Sequence, residues 1–429
     1  MIVGTSCTAL VKHIARNLYH TNNLTEANLL AFPLSLSHGY PSLVLLFACL
    51  DELFPDEGWD KAAHTNIIKI KESIEMQGLS NLSLFSGLSG ICFAIDAASR
   101  NKTRYQKFIQ TLHTYLINQI SKSYFNQIEE KVTLGLPIHP ELWEIISGLS
   151  GIGIYCLKAI DNEDIYNLLT KILSSLVKLA THIEIGGHKI PAWYHPSYYQ
   201  FIDQDKITFP FGNFNLGMAH GIAGVMALLS IAKLNGISVK DQEYALKYFS
   251  NWLLSKKIVK NGSISWPDRI SFQEEITHSK TKTGTMNAWC YGTAGVARSL
   301  YLCGKAIDSK TIQEEAIAAF ESMSDVPKSP TFCHGIAGLL TLTDLMAIDS
   351  RSFQLKQRVE FLKSHLLDTY KEDRPIGFWD LELTTSNTEP QEREKIGLLD
   401  GCVGVLLTLL GPEVYPKWQP LFLINERLS

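Results

Sequence analysis

The sequence has no strongly charged segment. Its 429 residues include 39 Lys and Arg against 43 Asp and Glu, a formal net charge of −4, with no block of basic residues. Proteins that bind the phosphate backbone of nucleic acids need a concentrated positive surface. The composition therefore argues against nucleic acid as a partner.

Long hydrophobic runs are also missing. The first ten residues carry no positive charge before their short apolar run, and a later run, Ser42 to Leu50, stops at Asp51 and Glu52. A membrane-spanning helix needs roughly 20 apolar residues. We therefore expect a soluble chain with neither a cleaved signal segment nor a membrane span.

Cysteine is scarce, with eight residues in the chain. This number is too small for a disulfide scaffold at this length, so we expect a cytoplasmic protein. Most of the cysteines lie in apolar segments with a helix-like pattern, where we expect them to be small, buried, hydrophobic residues. Cys290 and Cys333 differ because of their positions in an internal repeat.

The repeat is a pair of glycines three residues apart, followed by an apolar run. Clear copies begin at Gly87, Gly148, Gly221, Gly292, Gly335 and Gly401, and a weaker copy begins at Gly39, with Ser42 in place of the second glycine. Each spacing leaves room for two helices. Apolar runs after the glycines predict buried helices, and amphipathic stretches such as 105–120 and 241–254 predict half-buried ones. The predicted fold is all-α: a seven-fold α/α toroid of inner and outer helices in one domain, 1–429. Glycine suits the turn before each inner helix because it adopts positive φ and allows close backbone approach.

Equivalent positions in the seven copies should lie at one rim of such a ring. The position before the first glycine holds His38, Ser86, Ser147, His220, Tyr291, His334 and Asp400. The position before that holds Ser37, Phe85, Ile146, Ala219, Cys290, Cys333 and Leu399. Ionisable and metal-binding residue types therefore gather at this rim.

Cys290, Cys333 and His334 form a candidate zinc site. Two thiolates and one imidazole favour zinc, and three protein ligands leave one coordination position open for a substrate thiol. The structural alternative is that both cysteines are buried and His334 caps a helix.

Three further residues are candidates for catalysis. His220 lies in the rim position without a neighbouring cysteine, which favours an acid–base group over a ligand, although a histidine bonded to a backbone carbonyl remains the alternative. Tyr291 could donate to an oxyanion near the metal, or could simply pack beside Trp289. Glu144 lies in apolar text, where a carboxylate needs a partner. Orienting His220 and forming a local salt bridge are both open to it.

These motifs resemble the lanthionine synthetase C-like family, the cyclases that close thioether rings in lantibiotic precursors. The resemblance covers essentially the whole chain and rests on three segments: Trp289-Cys290-Tyr291-Gly292, Cys333-His334-Gly335-Ile336-Ala337-Gly338 and Ala219-His220-Gly221-Ile222-Ala223-Gly224. It implies a seven-fold α/α barrel, one zinc ion on Cys290, Cys333 and His334, and His220 as the acid–base residue. It also implies a strand-rich insertion, which we place at 183–215 because this segment reads as irregular and strand-like.

Two positions depart from the family pattern. The acidic residue before the third glycine pair is usually Asp and here is Glu144. The arginine expected shortly before Trp289 is absent. Either Lys282 or Arg269 takes over the role of that arginine, or no residue does.

The resemblance implies an intramolecular Michael addition. A peptide cysteine, held by zinc as thiolate, attacks the β-carbon of dehydroalanine or dehydrobutyrine, and His220 protonates the α-carbon. Tyr291 or a nearby donor stabilises the enolate oxygen. The substrate is then a dehydrated lantibiotic precursor, and a separate dehydratase must supply it. A complex with that dehydratase and a peptide exporter would bring the protein to the membrane surface.

Two alternatives come from other classes of protein. A scaffold that binds zinc and a thiol peptide would need Cys290, Cys333 and His334 but not His220. A protein prenyltransferase β-subunit is also an α/α toroid with zinc, but its ligand set includes a carboxylate. The presence of His220 favours the cyclase.

Overall fold

The structure is a computed structural model and describes residues 7–20, 32–279, 286–382 and 389–428. Helices dominate it. The seven glycine motifs each precede one inner helix: α2 (Tyr40–Leu53), α4 (Leu88–Ala97), α7 (Leu149–Lys158), α10 (Ile222–Leu234), α13 (Thr293–Ala306), α15 (Ile336–Ser350) and α17 (Cys402–Leu410). These helices are buried along nearly their whole length, as their apolar sequences predict.

The remaining longer helices are amphipathic or partly exposed. They are α1 (Cys7–Tyr19), α3 (Trp59–Gln77), α5 (Gln106–Ile120), α6 (Asn126–Leu134), α8 (Glu163–Val177), α11 (Gln242–Ser255), α14 (Lys310–Ser322) and α16 (Phe353–Asp368). A π-helical turn, Ser121–Phe125, joins α5 to α6. In the described ranges there are also three short α-helices: α9 (Asp203–Thr208), α12 (Phe272–Thr277) and α18 (Tyr415–Trp418).

Strands occur only as short antiparallel pairs in the described ranges. They are β1 (His182–Ile185), β2 (His188–Pro191), β3 (Asn213–Asn215), β4 (Ile258–Lys260), β5 (Ser263–Ser265), β6 (Arg269–Ser271), β7 (Asp380–Glu382) and β8 (Gln391–Arg393). The pairs are β1–β2, β3–β6, β4–β5 and β7–β8. The segment 183–215 thus contains most of the β1–β2 hairpin and β3, but also the helix α9. The prediction of one domain over 1–429, with 183–215 as an insertion, stays a prediction.

The chain forms two compact units. The first comprises the described residues within 1–113, 326–422 and 427–429, and the second those within 114–325 and 423–426. In the first unit α2 packs on α3, α15 on α16, and α17 on α1. In the second unit α7 packs on α8, α10 on α11, and α13 on α14. Each pair combines an inner helix with a more exposed one, as the sequence predicts.

Backbone hydrogen bonds link the turns that precede neighbouring inner helices. In the first unit the amide of Ser37 donates to the Phe85 carbonyl, and the amide of Cys333 donates to the Leu399 carbonyl. In the second unit the amide of Ala219 donates to the carbonyl of Cys290. The rim positions are therefore in register within each unit.

Close backbone contact explains the first glycine of each motif better than positive φ does. Gly292 alone among the seven has a positive φ, 80°. At Gly221 φ is −123°, but a Cβ would lie 2.5 Å from the Asn215 carbonyl oxygen. The chain folds back on itself so tightly before each inner helix that a side chain does not fit.

Candidate functional site

A carboxylate–imidazole pair lies at the rim of the second unit. His220 Nδ1 is 2.6 Å from Glu144 Oε2. A carboxylate can only accept, so Nδ1 carries a proton and the other ring nitrogen, Nε2, faces away from Glu144. The His220 side chain is 47% exposed whereas that of Glu144 is 1% exposed. The buried carboxylate thus orients a histidine that solvent or a substrate can reach.

The turn before α7 holds Glu144 in place. Its carboxylate accepts from the backbone amides of Ile146 and Gly148, both at 3.1 Å, and from that of Ser147. These amides lie just ahead of a helix, and that of Gly148 also donates to the Glu144 carbonyl at 3.1 Å. Glu144 therefore closes the pre-helix turn and contacts His220 with the same carboxylate.

Tyr291 lies beside His220, with ring centroids 6.2 Å apart. Its hydroxyl accepts from Asn215 Nδ2 at 3.2 Å and from the Arg269 guanidinium, which has donors only. Since both neighbours donate, the hydroxyl hydrogen of Tyr291 is available to a third group. Burial raises the pKa of Tyr291, while Arg269 and Asn215 act in the opposite direction.

A strand pair brings Asn215 and Arg269 to this hydroxyl. They are direct partners in the β3–β6 ladder. Arg269 also forms an ion pair with Asp205 at 2.6 Å. Of the two residues considered in place of the missing arginine, Arg269 is thus next to Tyr291. Lys282 lies outside the described residues.

Cys333 and His334 lie in the first unit. Both are half-buried and lie immediately before Gly335, which begins the turn into α15. His334 Nε2 is 2.9 Å from Asp380 Oδ1. Because Asp380 accepts, Nε2 carries the proton and Nδ1 presents its lone pair. Nδ1 is 3.6 Å from Asp400 Oδ1, beyond hydrogen-bond distance.

Asp380 is the centre of a buried polar cluster. Its Oδ1 also accepts from Ser329 Oγ at 2.9 Å, and its Oδ2 is 2.9 Å from Lys395 Nζ. The side chain is 2% exposed. Burial acts to raise its pKa, but the hydrogen bonds and positive charges of His334 and Lys395 lower the pKa to about 2. Asp380 is therefore a carboxylate at neutral pH.

Cys290 lies in the second unit, buried, immediately before Tyr291. The sequence predicts Cys290, Cys333 and His334 as one donor set for a metal ion. His334, Asp380 and Asp400 offer a second set of three ligand atoms within 4.8 Å of one another. The Lys395 ammonium already on Asp380 makes this second set the poorer cation site.

Residues 31–422 match the lanthionine synthetase C-like family. The chain belongs to this family. Over 409 residues it is 26% identical to the nisin biosynthesis protein NisC of Lactococcus lactis subsp. lactis, covering 92% of this chain and 90% of that protein. Among solved structures it is similar to nisin cyclase, with a TM-score of 0.78, 22% identity, and coverage of 97% of this chain and 98% of that one.

The structural likeness confirms the all-α toroid class predicted from the sequence, with only small strand pieces. Family membership likewise confirms the predicted enzyme class, a lanthionine synthetase. Within the described ranges, no helix has the length and apolar character to cross a membrane.

Two residues that contact this site, Asp380 and Asn215, are not among those predicted from the sequence. Asp380 lies in apolar text, Gly377-Phe378-Trp379-Asp380-Leu381, and could have been found by the reasoning applied to Glu144. Asn215 carried no such signal, because its contact with Tyr291 spans 76 residues and depends on the pairing of β3 with β6.

Proposed function

We propose that this member of the family is a zinc-dependent cyclase that forms lanthionine and methyllanthionine rings in a lantibiotic precursor peptide. The observation that carries this proposal is the buried Glu144 holding His220 at 2.6 Å beside Tyr291. A protein that only binds peptide has no need of an exposed histidine oriented by a buried carboxylate. General acid–base catalysis does.

The donor set fits zinc. Cys290 and Cys333 carry thiol groups, and the Nε2 of His334 donates to Asp380, which leaves the ring's lone pair on Nδ1. Two sulfurs and one nitrogen are ligands that zinc prefers. Zinc on these residues would hold a cysteine of the peptide as thiolate at neutral pH.

His220 supplies the proton in this scheme. Glu144 keeps Nδ1 protonated and fixes the ring plane, so Nε2 is the atom that exchanges a proton with the substrate. The exposure of His220 leaves room for a peptide at that nitrogen. Glu144 acts through His220 and is a positioning residue.

Tyr291 steadies the oxygen of the reacting residue. Asn215 and Arg269 saturate its hydroxyl oxygen, which leaves its hydrogen for the carbonyl oxygen where negative charge develops. The Arg269 cation, placed against Tyr291, favours negative charge there as well. We propose that Arg269 does the work of the arginine missing before Trp289.

The bonds and protons balance without an oxidant or reductant. The cysteine thiol loses its proton, its sulfur forms a bond to the β-carbon, and the carbon–carbon double bond breaks. The electron pair moves through the α-carbon to the carbonyl oxygen as an enolate. The α-carbon of the enolate then receives one proton from His220. The proton released by the thiol reprotonates the histidine.

The reaction also defines the partners that we propose. The family likeness indicates a lantibiotic precursor peptide as substrate. Dehydroalanine and dehydrobutyrine must be formed beforehand, so a dehydratase precedes this enzyme, and a complex with the dehydratase and a peptide exporter would place a cytoplasmic enzyme at the membrane surface.

Incubation with a dehydrated precursor tests the function. Free thiols are blocked by alkylation after the reaction, and mass spectrometry counts them. We expect the wild-type protein to remove alkylatable thiols without a change in peptide mass, because ring closure is an isomerisation.

His220→Asn distinguishes the enzyme from a scaffold. It should keep zinc and peptide binding but slow ring closure by about a hundredfold, the range for a lost general acid. Wild-type protein that binds peptide and zinc yet closes no ring would favour the scaffold. Consumption of an isoprenoid would favour a prenyltransferase.

A further inference from the structure

Asp380 has no role in the proposed reaction, yet its buried carboxylate contacts His334 and three further side chains. Asp380 is on β7, and its carboxylate contacts the side chains of Ser329, Thr331, His334 and Lys395. All of these residues belong to the first unit.

We infer that Asp380 is a positioning residue for His334, and that Ser329 and Lys395 hold Asp380 so that His334 offers Nδ1 to the metal. This inference rests on the proposed zinc site. A histidine that binds zinc through one nitrogen needs its other nitrogen protonated and directed, which a carboxylate acceptor achieves.

The geometry matches this role in three respects. The 2.9 Å contact is made to Nε2, so the lone pair falls on Nδ1. The carboxylate is 2% exposed, so water does not compete for it. Each oxygen of Asp380 has a separate donor in addition to the histidine, Ser329 on Oδ1 and Lys395 on Oδ2, and the group cannot rotate without breaking a hydrogen bond.

Lys395 also argues against Asp380 as a ligand itself. Its ammonium lies 2.9 Å from Oδ2 and 2.5 Å from Glu382 Oε1. A second cation on the same carboxylate would be repelled by that charge. Asp380 therefore orients a ligand and does not bind the metal.

The test measures zinc affinity of the full chain by chelator competition, and the absorption bands of the cobalt(II)-substituted protein. Asp380→Asn should weaken zinc binding by about 10- to 100-fold and shift the cobalt bands, because the imidazole loses its fixed orientation. Ser329→Ala, a milder change, should weaken binding by a few-fold in the same direction. Asp344→Asn is the matched control, since Asp344 bonds to Tyr415 in the same unit, and it should leave both measurements unchanged.

Each outcome decides the matter. Wild-type affinity and spectra in Asp380→Asn and Ser329→Ala would overturn the inference and leave the proposed zinc site standing. Complete loss of binding in Asp380→Asn, with the zinc-free variant as heat-stable as the zinc-free wild type, would make Asp380 a ligand and also overturn it. A wild-type protein that binds no zinc would overturn both the inference and the proposed site.

Discussion

Replacing Glu144 with Gln tests whether one carboxylate both builds the turn before α7 and orients His220. The carboxylate accepts from three backbone amides and from His220 Nδ1. Gln keeps one acceptor oxygen and puts an amide NH₂ where the other oxygen was, so the two donors on that oxygen lose it as their acceptor. Hydrogen bonds to a charged group contribute about 1.5 to 3 kcal/mol each, so the free energy of unfolding should fall by about 3 kcal/mol or more.

The same change should slow ring closure by about tenfold or more, and zinc content should stay at the wild-type level. Glu144→Asp should be tolerated better, because the charge and both acceptor oxygens remain. Urea unfolding gives the stability, and a single-turnover assay of alkylatable thiols gives the rate. Glu141→Gln is the matched control, because this exposed glutamate precedes the same turn and lies against His139.

The double variant gives the decisive comparison. His220→Asn alone should cost about a hundredfold, or about 2.7 kcal/mol of transition-state stabilisation. If Glu144 acts through His220, the double variant Glu144→Gln with His220→Asn should be little slower than His220→Asn, because groups that act as one unit are not additive. Strictly additive losses, about a thousandfold together, would show that Glu144 works independently, and full activity of Glu144→Gln would reduce it to a structural role.

Three further predictions concern zinc binding, the Arg269 side chain and the stability of the protein in acid. Cys290→Ala or Cys333→Ala should remove most of the roughly one zinc per chain measured by atomic absorption, because each loses one of three protein ligands; undiminished zinc in both would refute the ligand assignment. Arg269→Gln should slow ring closure about tenfold at unchanged zinc content. Arg269→Lys should recover little of the wild-type rate, because a lysine lacks the planar fork of donors. A wild-type rate in Arg269→Gln would show that Arg269 serves only in its ion pair with Asp205. Burial lowers the pKa of His113 to about 4. Between pH 6.5 and 4 the unfolded chain therefore binds a proton at this residue that the folded chain does not. As the pH is lowered through this range, the free energy of unfolding should decrease by up to about 1.4 kcal/mol per pH unit. His113→Leu should flatten that part of the pH profile of urea unfolding, and an unchanged slope would contradict the burial argument.

The positions of the inner helices can be predicted from the sequence, because the glycine motif that precedes each of them is short and contiguous. Each first glycine is the residue immediately before an inner helix, including Gly39 of the weaker copy. In that copy Ser42 Oγ donates to the Gly39 carbonyl at 2.8 Å, within the first turn of α2. Of the two reasons predicted for these glycines, close backbone approach applies to all seven, whereas positive φ occurs at Gly292 alone among them.

Residues of the candidate site could be predicted where a charged side chain occurs in an otherwise apolar segment of the sequence. Glu144 in an apolar segment requires a partner, and the structure supplies His220 and three backbone amides. The packing of α1 against α17 could not be foreseen, because it joins residues almost 400 positions apart. Likewise β3 finds its partner in β6, outside the segment 183–215, so the position of Arg269 beside Tyr291 follows from tertiary structure alone.

The most direct test of the account follows proton delivery to the α-carbon. Ring closure of a dehydrated precursor in D₂O adds one deuteron per ring, which mass spectrometry counts at each time point. We expect one deuteron per ring for the wild-type protein and about a hundredfold slower incorporation for His220→Asn at saturating peptide and equal zinc content. Equal rates of deuteron gain in the two proteins would contradict the claim that His220, held by Glu144, protonates the product.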